Sequence, residues 1–175
     1  VPEESVRILK GGEVLDLEGG IEVAYTPGHA QHHVAYKHEG TGMAFVGDVA
    51  GVRIPPGNAT VAPTPPPDID VETWLESVEL IRAWQPKLLG LTHWGLVEDP
   101  ERQLDAVASC LTDHAQLAKD LDAAEFAVAV KERLALEVGA ETAEAYFQAS
   151  PPDQLHAGLE RYWRKKAERE AEEAS

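Results

Sequence analysis

The chain's apolar positions follow a short period at first and a helical one later. "VRILKGG", "EVLDLEGG" and "IEVAY" each alternate or run apolar for a few residues, then stop at glycine or at Thr26-Pro27-Gly28. That punctuation predicts short strands joined by tight turns. "HVAYKHEGTG" followed by "MAFVGD" predicts a hairpin turning near Glu39–Gly42. Residues 51–69, "GVRIPPGNATVAPTPPPDI", hold six of the twelve prolines and neither period. Fixed φ angles and missing N–H donors predict an extended surface loop there, serving either function or rigid connection.

From Asp70 onward the period becomes helical. Asp70 is placed to cap a helix reaching about Trp84, with Trp74, Leu75, Val78 and Ile81 as its apolar stripe. Pro86 stops that helix, and "KLLGLTH" is a short apolar run suited to a buried strand. Asp99-Pro100 opens a second helix, with Leu104, Val107, Ala108, Leu111, Ala115 and Ala118 at helical spacing. After Ala123 the pattern is helical throughout, broken at Gly139 and again at Ser150-Pro151. The expected organisation is a β-rich and then βαβ-like portion over residues 1–122, followed by a helical extension over 123–175.

Composition narrows the classes. At 175 residues with 43% hydrophobic content the chain can bury a sizeable core, and no apolar run approaches the roughly 18 residues that span a bilayer. A net charge of −16 argues against a nucleic-acid footprint, which needs clustered Lys and Arg. The single cysteine, Cys110, excludes an internal disulfide, fits a reducing, cytoplasmic compartment, and reads as a small packed hydrophobe. The tail "RYWRKKAEREAEEAS" mixes both charges and reads as a solvated helix end. The chain begins Val-Pro and its one methionine is Met43, from which we expect a processed product or part of a longer polypeptide.

Three ligand-type residues share one kind of position. His29 follows the strand "IEVAYTPG", Asp48 follows "MAFVG", and His93 follows "LLGLT". Side chains at strand ends, projecting from loops at one sheet edge, are a common way to build a metal or catalytic site. Imidazole and carboxylate suit Zn²⁺, Mn²⁺ or Fe²⁺. Each element alone is equally a solvated turn; their order together is the signal.

"TPGHAQHH", "FVGDVAG" and "LTHWG", in that order, resemble the second half of the metallo-β-lactamase fold hydrolases, a family that includes glyoxalase II-type thioesterases, lactonases and phosphodiesterases. The resemblance covers about residues 11–122. It implies an α/β fold, the C-terminal half of an αββα sandwich with a C-terminal helical extension. It also implies His29 and His93 as metal ligands, Asp48 as the carboxylate bridging two ions, most simply zinc, with iron or manganese as alternatives, and His33 as a residue supporting the ligands. A histidine opening a strand with its ring bonded to backbone is the plain reading of His33, and the two overlap. His32, where the family often has glycine, is given no role. His38, His114 and His156 show no ligand setting and read as surface or helix-face residues. Trp94 could line the pocket or pack, and Arg53 could meet an anionic group or remain solvated.

The family's first signature, a His-x-His-x-Asp-His run, is absent. We therefore expect a complete site to need the N-terminal half of the fold or a second polypeptide, and this chain to expose an apolar face built from Ile21, Val23, Val34, Phe45 and Leu89–Leu91. The implied activity is metal-assisted hydrolysis of a small thioester, ester or lactone, with Asp48 as the central catalytic group. Other readings are a mononuclear iron persulfide dioxygenase, or a non-catalytic half acting as an assembly partner, including a homo-oligomer.

Overall fold

The computed structural model describes residues 2–93 and 95–174. Among the described residues six strands form one sheet in chain order: β1 (Val14–Leu15), β2 (Ile21–Tyr25), β3 (Val34–His38), β4 (Met43–Gly47), β5 (Leu88–Leu91) and β6 (Gly95–Val97). All neighbours are antiparallel except β4 and β5, which are parallel. That pair is joined by residues 48–87, containing helix α1 (Val71–Ala83), which is the crossover a parallel pair requires. Four more helices follow: α2 (Pro100–Asp120), α3 (Ala123–Val138), α4 (Ala140–Ala149) and α5 (Pro152–Glu173).

Helix starts obey local chemistry. The Asp70 carboxylate accepts from Thr73 N–H, and the Asp99 carboxylate accepts from Arg102 N–H ahead of Pro100. Asp122 and Glu125 form a reciprocal capping box on α3. α1 buries Trp74, Val78 and Ile81, the stripe its spacing predicts.

Strand register decides which face is covered. Ala35, Ala44, Val46, Leu89, Leu91 and Val97 share one core cluster with Trp74, Val78 and Ile81 of α1 and with Leu104, Val107 and Leu111 of α2. Phe126, Val130 and Leu134 of α3, Tyr146 of α4, and Leu155, Leu159 and Tyr162 of α5 belong to that same cluster. The opposite face carries the cross-strand row Val23, Tyr36, Phe45, Gly90 and Leu96. Phe45 and Leu96 are 48% and 62% exposed there. Contiguous apolar area of this kind marks a surface meant to be covered. Of the residues expected on such a face, Phe45 is exposed, Ile21 and Val34 are half-buried, and Val23 is buried outside the main cluster. Leu89 and Leu91 are a correction. Period-two alternation turns them to the helix side, in register with Val97 and beside Ala44.

Two further expectations change. "VRILK" forms no strand; Val6 and Ile8 are exposed, and only Val14–Leu15 pairs, because an apolar alternation without a partner makes no ladder. The proline-rich segment is not a surface loop along its length. Val52 and Val61 form an isolated bridge, and Ala59, Ala62, Pro63 and Thr64 are buried between sheet and helices. Pro63 is the one proline of the segment that is buried, and it brings no N–H donor to satisfy. Among the described residues no helix is long and apolar enough to cross a membrane.

Candidate metal centre

The direction of the strands gathers the candidate residues. β2, β4 and β5 all run the same way, so their C-terminal ends lie on one edge of the sheet. His29, Asp48 and His93 follow those three ends, and His33 opens the antiparallel β3 at the same edge.

Glycine makes two of the turns. Gly28, with φ +123°, lies so close to α1 that an added Cβ would sit 2.3 Å from the Trp74 Cα. Gly47, with φ +55°, coincides with a register shift in β4 and leaves room for the His33 ring, whose Nε2 an added Cβ would meet at 2.3 Å. Bulges beside a functional group re-aim the residue that follows, here Asp48.

Hydrogen bonds then fix the imidazoles. His29 Nδ1 donates to the Pro63 carbonyl at 2.9 Å, which leaves Nε2 as a bare acceptor. That Nε2 faces Asp48 Oδ2 at 3.6 Å. The ring stands edge-on to Trp74, centroids 5.3 Å apart, and Trp74 Nε1 donates to the Val49 carbonyl at 2.7 Å. His33 Nε2 accepts from Asp48 N–H at 3.2 Å, so its Nδ1 carries the proton and donates to Thr26 Oγ1 at 2.7 Å. Burial first, and the neighbouring His29 second, lower the His33 pKa and keep it neutral. His33 is thus both the strand-opening histidine and a support for the Asp48 backbone. His93 Nε2 lies 3.6 Å from Asp48 Oδ1, and its carbonyl accepts from Arg53 N–H at 2.9 Å.

The carboxylate of Asp48 therefore has one imidazole nitrogen against each oxygen. A separation of 3.6 Å is beyond a hydrogen bond. It is close to the span of two atoms that each lie about 2.0–2.2 Å from a shared ion in tetrahedral geometry. Oδ1 is buried and, among the described residues, accepts no hydrogen bond. A lone-pair nitrogen facing a carboxylate oxygen is reconciled by a cation between them, so the residues present fit a metal. Among the described residues no three His, Cys, Asp or Glu side chains enclose one common cation position. A cation beside either Asp48 oxygen would find two donors, one imidazole nitrogen and that oxygen.

Other candidates fall elsewhere. His32 is exposed, and His38 bonds Thr41 Oγ1 and the Glu18 carbonyl at the far end of the sheet. His114 and His156 are a correction: both are buried, His114 beside Cys110 and His156 near the Leu121 carbonyl, with Phe126 between the two rings. An i,i+4 apolar stripe gives no warning that a histidine joins it. Arg53 donates to Asn58 Oδ1 at 2.6 Å. Trp94 lies outside the described residues. Thr26, Trp74 and Pro63, which hold the site together, carried no sequence signal as site residues.

The sequence matches the family described as "Metallo-beta-lactamase superfamily" over residues 2–93. The chain belongs to the metallo-beta-lactamase superfamily. Within that superfamily it is 38% identical, over 96 residues, to a metallo-beta-lactamase fold-containing protein of Sulfurisphaera tokodaii, an alignment spanning 54% of this chain and 35% of that protein. In fold it is similar to an archaeal superfamily protein from Sulfolobus tokodaii (TM-score 0.53, 23% identity, 94% of this chain and 54% of that one). A family protein from Thermus thermophilus superposes with TM-score 0.57 at 16% identity, covering 91% of this chain and 49% of that one. The chain thus spans about half the length of these solved metallo-beta-lactamase-fold proteins.

Proposed function

We propose that this chain carries part of a metal-dependent hydrolase centre, in which His29, Asp48 and His93 would hold the metal, most simply zinc. The observation that supports this most is the Asp48 carboxylate, whose two oxygens each meet an imidazole nitrogen at 3.6 Å. When bound, a metal pair would supply a water acidic enough to attack at neutral pH and a Lewis acid for the electrophilic oxygen. The chain's own residues do the positioning. The Pro63 carbonyl holds the His29 proton on Nδ1 and keeps Nε2 free to ligate. His33 and Thr26 fix the Asp48 backbone, and the Trp74 ring packs edge-on against His29.

Two ligands per position are fewer than the three that catalytic zinc sites use. We propose that the remainder come from the other portion of the fold or from a second polypeptide, seated against the exposed sheet face around Phe45 and Leu96. The substrate class we favour is a small thioester, ester or lactone, because a net charge of −16 disfavours polyanions. One experiment tests the centre: zinc titration of this chain beside Asp48→Asn, followed by a thioester, ester and lactone panel on the protein joined to its ligand-bearing partner portion. Zinc affinity equal in the two chains overturns the assignment.

A further inference from the structure

The proline-rich segment touches both histidines of the candidate centre, and the helical extension holds it at two points. At one end, Arg53 N–H donates to the His93 carbonyl at 2.9 Å. One residue on, Ile54 N–H donates to Tyr146 Oη of α4 at 2.9 Å, and that hydroxyl donates to the Ala59 carbonyl at 2.8 Å. Tyr146 is fully buried, and burial raises its pKa, so the hydroxyl keeps its proton. At the other end, the Pro63 carbonyl accepts from His29 Nδ1 at 2.9 Å. One residue on, the fully buried Thr64 donates its hydroxyl to the Leu155 carbonyl of α5 at 2.9 Å. Gly158 of α5 meets the same residue: a Cβ there would sit 1.9 Å from the Thr64 carbonyl oxygen.

From this geometry we infer that α4 and α5 set the orientation of the metal-ligand histidines, with Tyr146, Thr64 and Gly158 as positioning residues acting through residues 51–69. The inference rests on the proposed metal centre for its use. Its physical content, a fixed His29 tautomer imposed from α5, exists without metal. The Pro63 carbonyl belongs to the planar peptide unit it shares with Thr64 N, so a displacement of Thr64 moves it directly. Hydrogen-bond partners of a ligating imidazole change metal affinity by about 10–100-fold when lost, which is the scale expected here.

The test uses the metal-free chain and imidazole ¹⁵N NMR at pH 8. The wild type is expected to show His29 as the Nδ1–H tautomer alone. Thr64→Val, which keeps the shape and removes the hydroxyl, should give a mixture of tautomers, and Gly158→Ala the same or more. Tyr146→Phe should speed hydrogen exchange at the Arg53 amide about tenfold while leaving the His29 tautomer alone. Phe126→Leu, whose ring neighbours are His114 and His156, serves as a packing control and should leave both readouts unchanged. A wild-type tautomer retained in Thr64→Val overturns the inference, as does an equal loss in Phe126→Leu. Zinc titration of the same proteins, each joined to the ligand-bearing partner portion, separates the two proposals. Wild-type binding about tenfold tighter than Thr64→Val supports both. No zinc binding by any of them sinks the metal centre and leaves the tautomer result to decide the role of α5.

Discussion

Replacing Asp48 by Asn should make the metal-free chain more stable, although it removes the central functional group. In the metal-free state the carboxylate is poorly served. Oδ1 is buried without a hydrogen-bond partner, which costs about 1–3 kcal/mol of desolvation when nothing compensates. Oδ2 faces the acceptor nitrogen of His29 at 3.6 Å. An amide removes the charge and presents an N–H to one of the two imidazoles after a movement of a few tenths of an ångström. The net gain works out at about 1–2 kcal/mol, equivalent to about 2–8 °C in melting temperature for a chain of this size. Urea and thermal unfolding in chelator at pH 8 measure it directly. With zinc added the order should reverse, because only the wild type gains from binding: about 2.7 kcal/mol at a hundredfold excess over Kd. A variant less stable than wild type in chelator by more than about 0.5 kcal/mol would refute the reasoning. It would mean that protein contacts already satisfy the carboxylate.

Three further outcomes are expected. His114 is buried in α2, and burial lowers its pKa to about 4; the unfolded chain then takes up the proton first, so stability is complete above pH 6.5 and falls by about 3 kcal/mol on the way to pH 4. Urea midpoints from pH 7 to 4 for wild type and His114→Leu check this, the variant lacking that slope. Gly47→Ala puts a methyl into the His33 ring position at a φ of +55°; zinc affinity should drop at least about tenfold, and the chain should lose about 1–2 kcal/mol from the left-handed backbone alone. Finally, sedimentation of the 19.0 kDa chain at micromolar concentration should show a species larger than a monomer, and Phe45→Glu with Leu96→Glu should return it toward monomer; a wild-type monomer that binds no hydrophobic dye contradicts this.

The sequence carried the elements whose signals are local. Asp70 and Asp99 cap the helices they appear to cap, and the Glu39–Gly42 turn joins the strands flanking it. The order His29, Asp48, His93 could be read because each stands at the end of a strand with a clear apolar run. What stayed hidden depends on partners far along the chain. "VRILK" has the alternation of a strand but no neighbour to pair with. Leu89 and Leu91 could not be assigned to a face until β4 fixed their register. His114 and His156 look like helix-face residues because burial of an imidazole depends on what packs across from it. Pro63 could not be recognised as the group that orients His29 from 34 residues away.

The turn at Glu39–Gly42 closes the hairpin at the end of the sheet opposite the histidines, five strand residues away, or about 17 Å. Glu39, Gly40 and Thr41 are exposed, and the turn closes through Gly42 N–H to the His38 carbonyl. Chemistry attached there sits at the opposite end of the sheet from Asp48. A cysteine at Thr41, modified with a fluorophore or coupled to a surface, would report on or immobilise the protein while leaving the histidine edge pointing into solution.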